Sequence, residues 1–370
     1  METTVDRLFS QILRGRDGKN IGLDIGLPKL KKIIAGVQRS MYTVIAGSTG
    51  SGKTTFVLYT YIYRQLMSML GDERLKIIYY SLEMTGETLL AKIASLYMYE
   101  TFGREVTFNT ILSRDGIISD EDYELVMKTR EWLELVQKHL IIYDKGLTCN
   151  GLYAHLKTYA EANGDFSTTE HQQIYTPYVE DQYTIVVIDH IGLIRKMAGQ
   201  SKKDAIDMSS NYLIQFRNKC GFSPVVLMQV NRQSSSMDRR KGDMQELQLD
   251  DLKDSGTPSE DAEIVMALFN PYREKMSSYR DYKIKIIKEY FRSMVVLKNR
   301  YGEADKVVPL NFFGTIGYWR ELPKPDEISL EDYERFRTID GYKDVDANIV
   351  VAKVDAVDDD EKKSGMMFTL

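Results

Sequence analysis

Residues 47–54 read Gly47-Ser48-Thr49-Gly50-Ser51-Gly52-Lys53-Thr54, a complete GxxxxGK[ST] string. The run before it, Met41-Tyr42-Thr43-Val44-Ile45-Ala46, is apolar and β-favouring. The run after it, 56–70, is long, apolar and free of Gly and Pro. Strand, glycine loop, helix is the context in which this string carries a physical meaning. Glycines let backbone N–H groups turn inward around a phosphate. Lys53 can then reach the β- and γ-phosphates, and the Thr54 hydroxyl can hold Mg²⁺. The reading assigns Gly47, Gly50, Ser51, Gly52, Lys53, Thr54 and Thr55 to a nucleoside triphosphate. It leaves open what the triphosphate is for.

The bulk of the chain sets limits on the answer. At 370 residues, with 43% hydrophobic and 28% charged, it has the composition of an ordinary globular protein, long enough for one large domain. It contains no apolar stretch of the roughly 18 residues that a membrane helix needs. The N-terminal segment is amphipathic and carries acidic residues, unlike a secretory signal. Two cysteines, Cys149 and Cys220, fit a reducing compartment, so a cytoplasmic protein is expected. Four isolated histidines lack metal-ligand spacing. A net charge of −5 argues against a broadly basic nucleic-acid coat but leaves room for a local basic channel.

Along the chain, residues 1–20 read as a linker helix whose apolar face is Val5, Leu8, Phe9, Ile12 and Leu13. From about 40 to 320, β-rich runs alternate with helical stretches. The strand candidates are 42–46, 76–81, 139–143, 184–188, 224–229 and 294–298. Several are apolar on successive residues, as strands buried on both faces of a parallel sheet are. The expectation is one doubly wound α/β domain over 21–322, with a mainly parallel twisted sheet flanked by helices. Residues 163–183 are polar and turn-rich and read as a surface insertion, and 232–248 as a mobile loop. A C-terminal extension, 323–370, turns acidic, with 350–370 expected to be disordered.

Further residues are placed to do chemistry. Thr184 to Asp189 is a buried strand closing on a carboxylate, and a strand-end Asp in phosphate-loop enzymes helps hold Mg²⁺. Glu83, in Ser81-Leu82-Glu83-Met84, follows the strand KIIYY directly. The C-terminal strand ends of a parallel sheet carry the ligand crevice, which puts Glu83 beside the γ-phosphate as a candidate base. Gln229 ends the strand PVVLMQ, where an amide can sense that phosphate. Lys298 and Arg300 end the strand MVVLK on one side, two cations suited to a phosphate reached from outside. Arg239, Arg240 and Lys241, followed by Asp251-Leu252-Lys253-Asp254-Ser255-Gly256, offer cations and free backbone donors to a nucleic-acid backbone.

Taken in order, these elements resemble the RecA-like motor domain of DnaB-family replicative helicases, over roughly residues 20–320. Gly22-Leu23-Asp24-Ile25-Gly26-Leu27 and Leu30 look like the family's entry to the domain. Ser81 to Met84 matches its SLEM motif, Ile188-Asp189 its Mg²⁺-site strand, and Met228 to Arg232 its QLNR segment. Asp251 to Gly256 with Glu260-Asp261-Ala262 resembles its DLRESG segment, and Lys298-Asn299-Arg300 its K-x-R finger. Asp189 is followed by His190 where DnaB proteins carry Tyr, and Lys253 and Asp254 replace Arg and Glu. The resemblance implies ATP and Mg²⁺ as cofactors, Glu83 as catalytic carboxylate and Gln229 as coupling sensor. It implies that Lys298 and Arg300 reach the ATP of an adjacent subunit, and that Lys253, Asp254 and Gly256 touch DNA. It further implies a homo-hexamer that tracks 5′→3′ on single-stranded DNA, opens forked duplex, and docks its N-terminal helix on a neighbour. Primase, polymerase or a loader would be partners. The lack of the family's N-terminal collar leads us to expect a phage-type protein of an infected bacterial cell. A RecA-type recombinase, a non-translocating regulatory ATPase and a kinase-like phosphotransferase are the rival readings.

Overall fold

Apolar runs separated by polar connections build one nine-stranded sheet in the computed structural model, which describes residues 3–168, 173–230, 246–255 and 257–341. The strands are β1 (Thr43–Gly47), β2 (Leu75–Ser81), β3 (Leu140–Tyr143), β4 (Gly164–Thr168), β5 (Gln173–Pro177), β6 (Tyr183–Asp189), β7 (Ser223–Gln229), β8 (Ile264–Phe269), β9 (Phe291–Asn299), β10 (Lys306–Phe313) and β11 (Tyr318–Glu321). Their order in the sheet is β11-β10-β9-β8-β1-β7-β6-β2-β3. From β8 to β3 every pairing is parallel. From β8 to β11 every pairing is antiparallel.

The parallel strands are apolar on successive residues because helices cover both faces. Ile45, Ile77, Tyr79, Ile185, Val187, Val225 and Leu227 face one layer, with Phe56, Leu66, Leu89, Ile93, Trp132 and Val136 from its helices. Their neighbours Val44, Ala46, Ile78, Tyr80, Val186, Ile188, Val226 and Met228 face the other, where helices Cys149–Asn163 and Lys202–Cys220 supply Leu152, Leu156, Leu213 and Phe216. The fold is therefore the expected α/β sandwich on a mostly parallel sheet.

The strand expected at 294–298 is present, with a direction the apolar run did not reveal. That run lies within β9, which pairs antiparallel with both its neighbours, outside the parallel half. Only residues 300–305 separate β9 from β10, too few for the crossover that a parallel pair demands. Strands β8, β10 and β11 were not anticipated. The segment 163–183 is more ordered than a plain surface insertion: β4 and β5 form a separate antiparallel hairpin. The last described stretch folds onto the domain, with Tyr333 and Phe336 buried against Tyr282, Phe291 and Leu322.

The N-terminal helix spans Thr4–Arg16 and begins with a reciprocal cap between Thr3 and Asp6. No residue of it is buried, and Val5, Leu8, Phe9, Ile12 and Leu13 are each more than half exposed. Its C-terminal end is clasped instead. Asp181, just after the hairpin, takes Arg14 at 2.5 Å and Arg39 at 2.8 Å. The Arg39 guanidinium also lies over the Tyr183 ring.

Candidate nucleotide-binding site

Parallel register brings the sequence-predicted groups to one end of the sheet. Gly47 at the end of β1 sits opposite Gln229 at the end of β7, and Ser81 at the end of β2 sits opposite Asp189 at the end of β6. The Leu82 N–H donates to the Asp189 carbonyl at 2.9 Å, so the chain carries Glu83 past Asp189 in an exposed turn. Glycine is required in the loop for two reasons. Gly50 and Gly52 have φ of +72° and +104°, in the left-handed region. At Gly47 a Cβ would stand 2.8 Å from both the Leu268 carbonyl oxygen and Ser51 Oγ.

The loop has the features of an anion cradle. Helix Lys53–Val57 starts at its exit with Gly52 as its N-cap residue, and a π-helical turn, Leu58–Tyr63, continues it. Lys53 Nζ donates to the carbonyls of Gly47 (2.8 Å) and Ser48 (3.0 Å). Burial pulls the Lys53 ammonium down to about 8, against the opposing charges of Asp189 and Glu83. A polyphosphate would relieve that burden by adding negative charge at short range. Ser51 Oγ is buried without a hydrogen-bond partner, an orphan that a phosphate or its bound water would satisfy. The fit to a triphosphate is thus carried by the cradle itself.

Asp189 is buried, which raises its carboxyl above the usual range. Hydrogen bonds from Tyr79 (2.8 Å) and Thr54 act the other way. Thr54 and Asp189 are the pair that would share a divalent cation, and Thr54 is near enough to lower the Asp189 carboxyl. Tyr79 was not singled out in the sequence. It stands two residues before the strand end, and its hydroxyl fixes the carboxylate's orientation. Gln229 Nε2 donates to Thr49 Oγ1 at 2.7 Å, tying the end of β7 to the loop. Two arginines missed by sequence reasoning also hold the loop: Arg273 donates to the Thr49 carbonyl, and Arg292 Nε to the Ser51 carbonyl at 2.8 Å. A lone cation in the apolar strand FRSMVVL was the available signal for Arg292, because such a residue is seldom buried without a task.

Lys298 and Arg300 are elsewhere. Antiparallel β9 puts Lys298 and Asn299 opposite Val265 and Ile264, where β8 begins, and Ile264 pairs with Thr43 at the start of β1. The two cations therefore sit at the opposite end of the sheet from the loop, about 13 Å of strand rise away along β1 alone. They converge as expected: Lys298 Nζ and Arg300 Nη2 donate to the Glu260 carbonyl at 2.7 and 3.4 Å. Arg300 also reaches buried Glu263 at 3.3 Å. Lys253 and Asp254 belong to a short 3-10 helix, Leu249–Ser255. Gly256, Arg239, Arg240 and Lys241 lie outside the described residues, as do Asn231, Arg232 and the acidic tail.

The comparison with protein families meets this geometry. The model of the DnaB-like helicase C terminal domain matches residues 22–320, from the chain's entry into the sheet domain to β11. The chain belongs to the DnaB-like helicase C-terminal domain family. It is 26% identical over 274 residues to the replicative DNA helicase DnaB of Buchnera aphidicola subsp. Acyrthosiphon pisum (strain APS), covering 73% of this chain and 51% of the relative. Against the Helicobacter pylori (strain ATCC 700392 / 26695) DnaB it is 23% identical over 276 residues, covering 72% and 47%. The chain thus spans about half the length of these relatives. Among solved structures, a DnaB-like replicative helicase studied for its interactions with primase superposes with a TM-score of 0.65 at 20% identity, covering 87% of this chain and 68% of that one. A solved ATPase domain gives 0.66 at 19% identity, covering 87% and 100%. These superpositions fix the fold of this DnaB-like domain as RecA-like. Among the described residues no helix is long and apolar enough to cross a membrane.

Proposed function

We propose that this chain is an ATP-driven motor that assembles in rings, tracks along single-stranded DNA and opens duplex at a replication fork. The observation that supports it above the rest is the division of the site. The phosphate loop, Thr54, Asp189, Glu83 and Gln229 share one end of the sheet, while Lys298 and Arg300 converge at the other. A cation pair that cannot fold back to its own loop is suited to a neighbour's. That geometry is heterologous and closes into a ring when the rotation allows. Six copies and 5′→3′ movement are part of the same reading.

In this reading Lys53 and the loop amides bind the triphosphate, and Thr54 with Asp189 holds Mg²⁺. When bound, that ion neutralises charge on the phosphate oxygens. Glu83, exposed at the crevice and close enough for its charge to act on Lys53 and Asp189, accepts a proton from the attacking water. Lys298 and Arg300 of the adjoining copy stabilise charge on the transferred phosphoryl group. Gln229, bonded to Thr49 of the loop, reports phosphate occupancy along β7 to the segment that follows. Arg239, Arg240, Lys241, Lys253, Asp254 and the Gly256 backbone would grip the DNA backbone without reading bases. The N-terminal helix would lay its exposed apolar face on the next copy. Primase is a candidate partner because a DnaB-like structural neighbour was studied for that interaction. Polymerase and a loader follow from the replicative role, in the cytoplasm of a bacterial or phage-infected cell.

The test is unwinding of a forked duplex with a 5′ tail against one with a 3′ tail, in ATP, with Lys53→Ala as the blank. Opening of only the 5′-tailed fork, dependent on Lys53, is expected. ATP turnover that rises on single-stranded DNA without opening would point to a missing loader or to the recombinase. Turnover indifferent to DNA would favour the regulatory ATPase.

A further inference from the structure

Arg292 is the second residue of β9 and is almost wholly buried. Its guanidinium is held by backbone carbonyls. Nε donates to Ser51 at 2.8 Å, and Nη1 to Glu289 and Phe291, each at 2.7 Å. The Phe312 ring lies 5.0 Å from Cζ. No ion pair among the described residues includes it. A buried cation without a carboxylate is costly, so the fold keeps one here only if something at this place gains from it.

The Ser51 carbonyl and the Gly52 N–H belong to one planar trans peptide, so they point in opposite directions. A bond that draws the Ser51 oxygen toward β9 turns the Gly52 N–H toward the cradle. Without the bond, that peptide would be loose. Gly52 has no Cβ and sits at φ +104°, where rotation is nearly free of steric cost. The same cation lies behind the loop with no direct ion pair, Glu289 acting on it only at longer range and against Arg273, so its charge favours an anion in front of it. We propose that Arg292 is a positioning residue of the nucleotide site: it sets the Gly52 amide toward the phosphates and ties the loop to β9. Strand β9 runs on from Arg292 to Lys298, six residues and about 20 Å of strand away. The inference rests on reading 47–54 as a phosphate loop, not on the helicase reading.

The experiment uses the full chain with Arg292→Met and Arg292→Lys. Dissociation constants for fluorescent mant-ATP and mant-ADP are measured with Mg²⁺, and melting temperatures with and without ATP. Arg292→Met removes the fork and keeps the bulk. It is expected to weaken both nucleotides by at least about tenfold, the scale of a lost charge-assisted bond. Three carbonyls lose their donor, so nucleotide-free melting should fall only slightly, and the rise on adding ATP should shrink in line with the lost affinity. Arg292→Lys keeps the charge but cannot span two carbonyl sites, and should fall between Met and the parent. A lower nucleotide-free melting temperature with affinities within about twofold of the parent would make Arg292 a packing group and overturn the proposal. If Arg292→Met does not fold, Arg292→Lys with parental affinities overturns it equally. Parent protein that binds mant-ATP but shows no DNA response would sink the helicase reading and leave these outcomes able to decide Arg292.

Discussion

Replacing Arg300 by alanine separates its contacts within the chain from the role proposed for it at a neighbour's nucleotide, and the two differ greatly in expected size. Within its own chain Arg300 is half-exposed and makes long bonds, 3.3 Å to Glu263 and 3.4 Å to the Glu260 carbonyl. Glu263 would not be left stranded by the change: it keeps Arg217 and the Tyr42 N–H at 2.8 Å. The loss of folding stability should therefore stay below about 1 kcal/mol, the range of a solvent-exposed pair. If the guanidinium completes a neighbour's site, turnover should fall by roughly 10³-fold or more, about 4 kcal/mol of barrier, with nucleotide affinity nearly intact. Lys53→Ala is inactive for the complementary reason, since it lacks the loop lysine and keeps the finger. Co-assembling the two inactive variants should restore activity. In randomly mixed rings about one interface in four joins an intact loop to an intact finger. Steady-state ATP hydrolysis on single-stranded DNA reads the outcome, with a thermal melt as control. A loss of less than about fivefold in Arg300→Ala would refute the reasoning. So would a complete failure of mixed rings to recover activity.

Three further outcomes are expected. Asp181→Ala removes the partner of both Arg14 and Arg39 and should raise protease cleavage after Arg14 and Arg16 about five- to tenfold, with sheet amides as protected as before. Burial raises the Asp181 carboxyl, but the hydrogen bond from Arg14 and the charges of Arg39 and Arg14 outweigh it, so its value is lowered overall. The clasp is then complete above the ordinary carboxylate range and opens only as pH falls through the lowered value; release near neutral pH would contradict the assignment. Burial pushes the Cys220 thiol up to about 12. In a Cys149→Ser background its alkylation by iodoacetamide at pH 8 should run at roughly 10⁻⁴ of the thiolate limit, rising about tenfold per pH unit; a rate levelling off by about pH 10 would show the thiol to be ordinary.

Half of the sheet was legible because parallel strands buried on both faces leave a plain mark. The continuous apolar runs at 184–188 and 224–229 fall within strands of that half, each ending on a polar residue that reaches the loop. The other half was not legible. Period and burial do not encode direction, so 294–298 looked like its parallel counterparts. The clue was the short, Gly302-containing turn to 306, which admits only a hairpin. Strand β8 is as apolar as any, yet it is flanked by a Glu-Asp-Ala-Glu run and an Asn-Pro pair that drew attention to the polar segments instead. At the site, Lys53, Thr54, Asp189 and Gln229 were placed by chain position relative to strand ends. Tyr79, Arg273 and Arg292 act across the sheet or from a distant turn, and only register reveals such neighbours.

The two outermost strands, β3 and β11, are each four residues long. At the end of β11, Glu321 accepts the N–H groups of Lys29 and Leu30, and Lys29 Nζ takes the Leu322 carbonyl at 2.8 Å. Short, partly occupied borders offer little template on which another chain could continue the hydrogen-bonded ladder. Copies of this molecule therefore have little to gain from merging their sheets into a fibre. In the proposed ring, contact between copies would then fall to side-chain surfaces, which can be made and released without breaking a sheet.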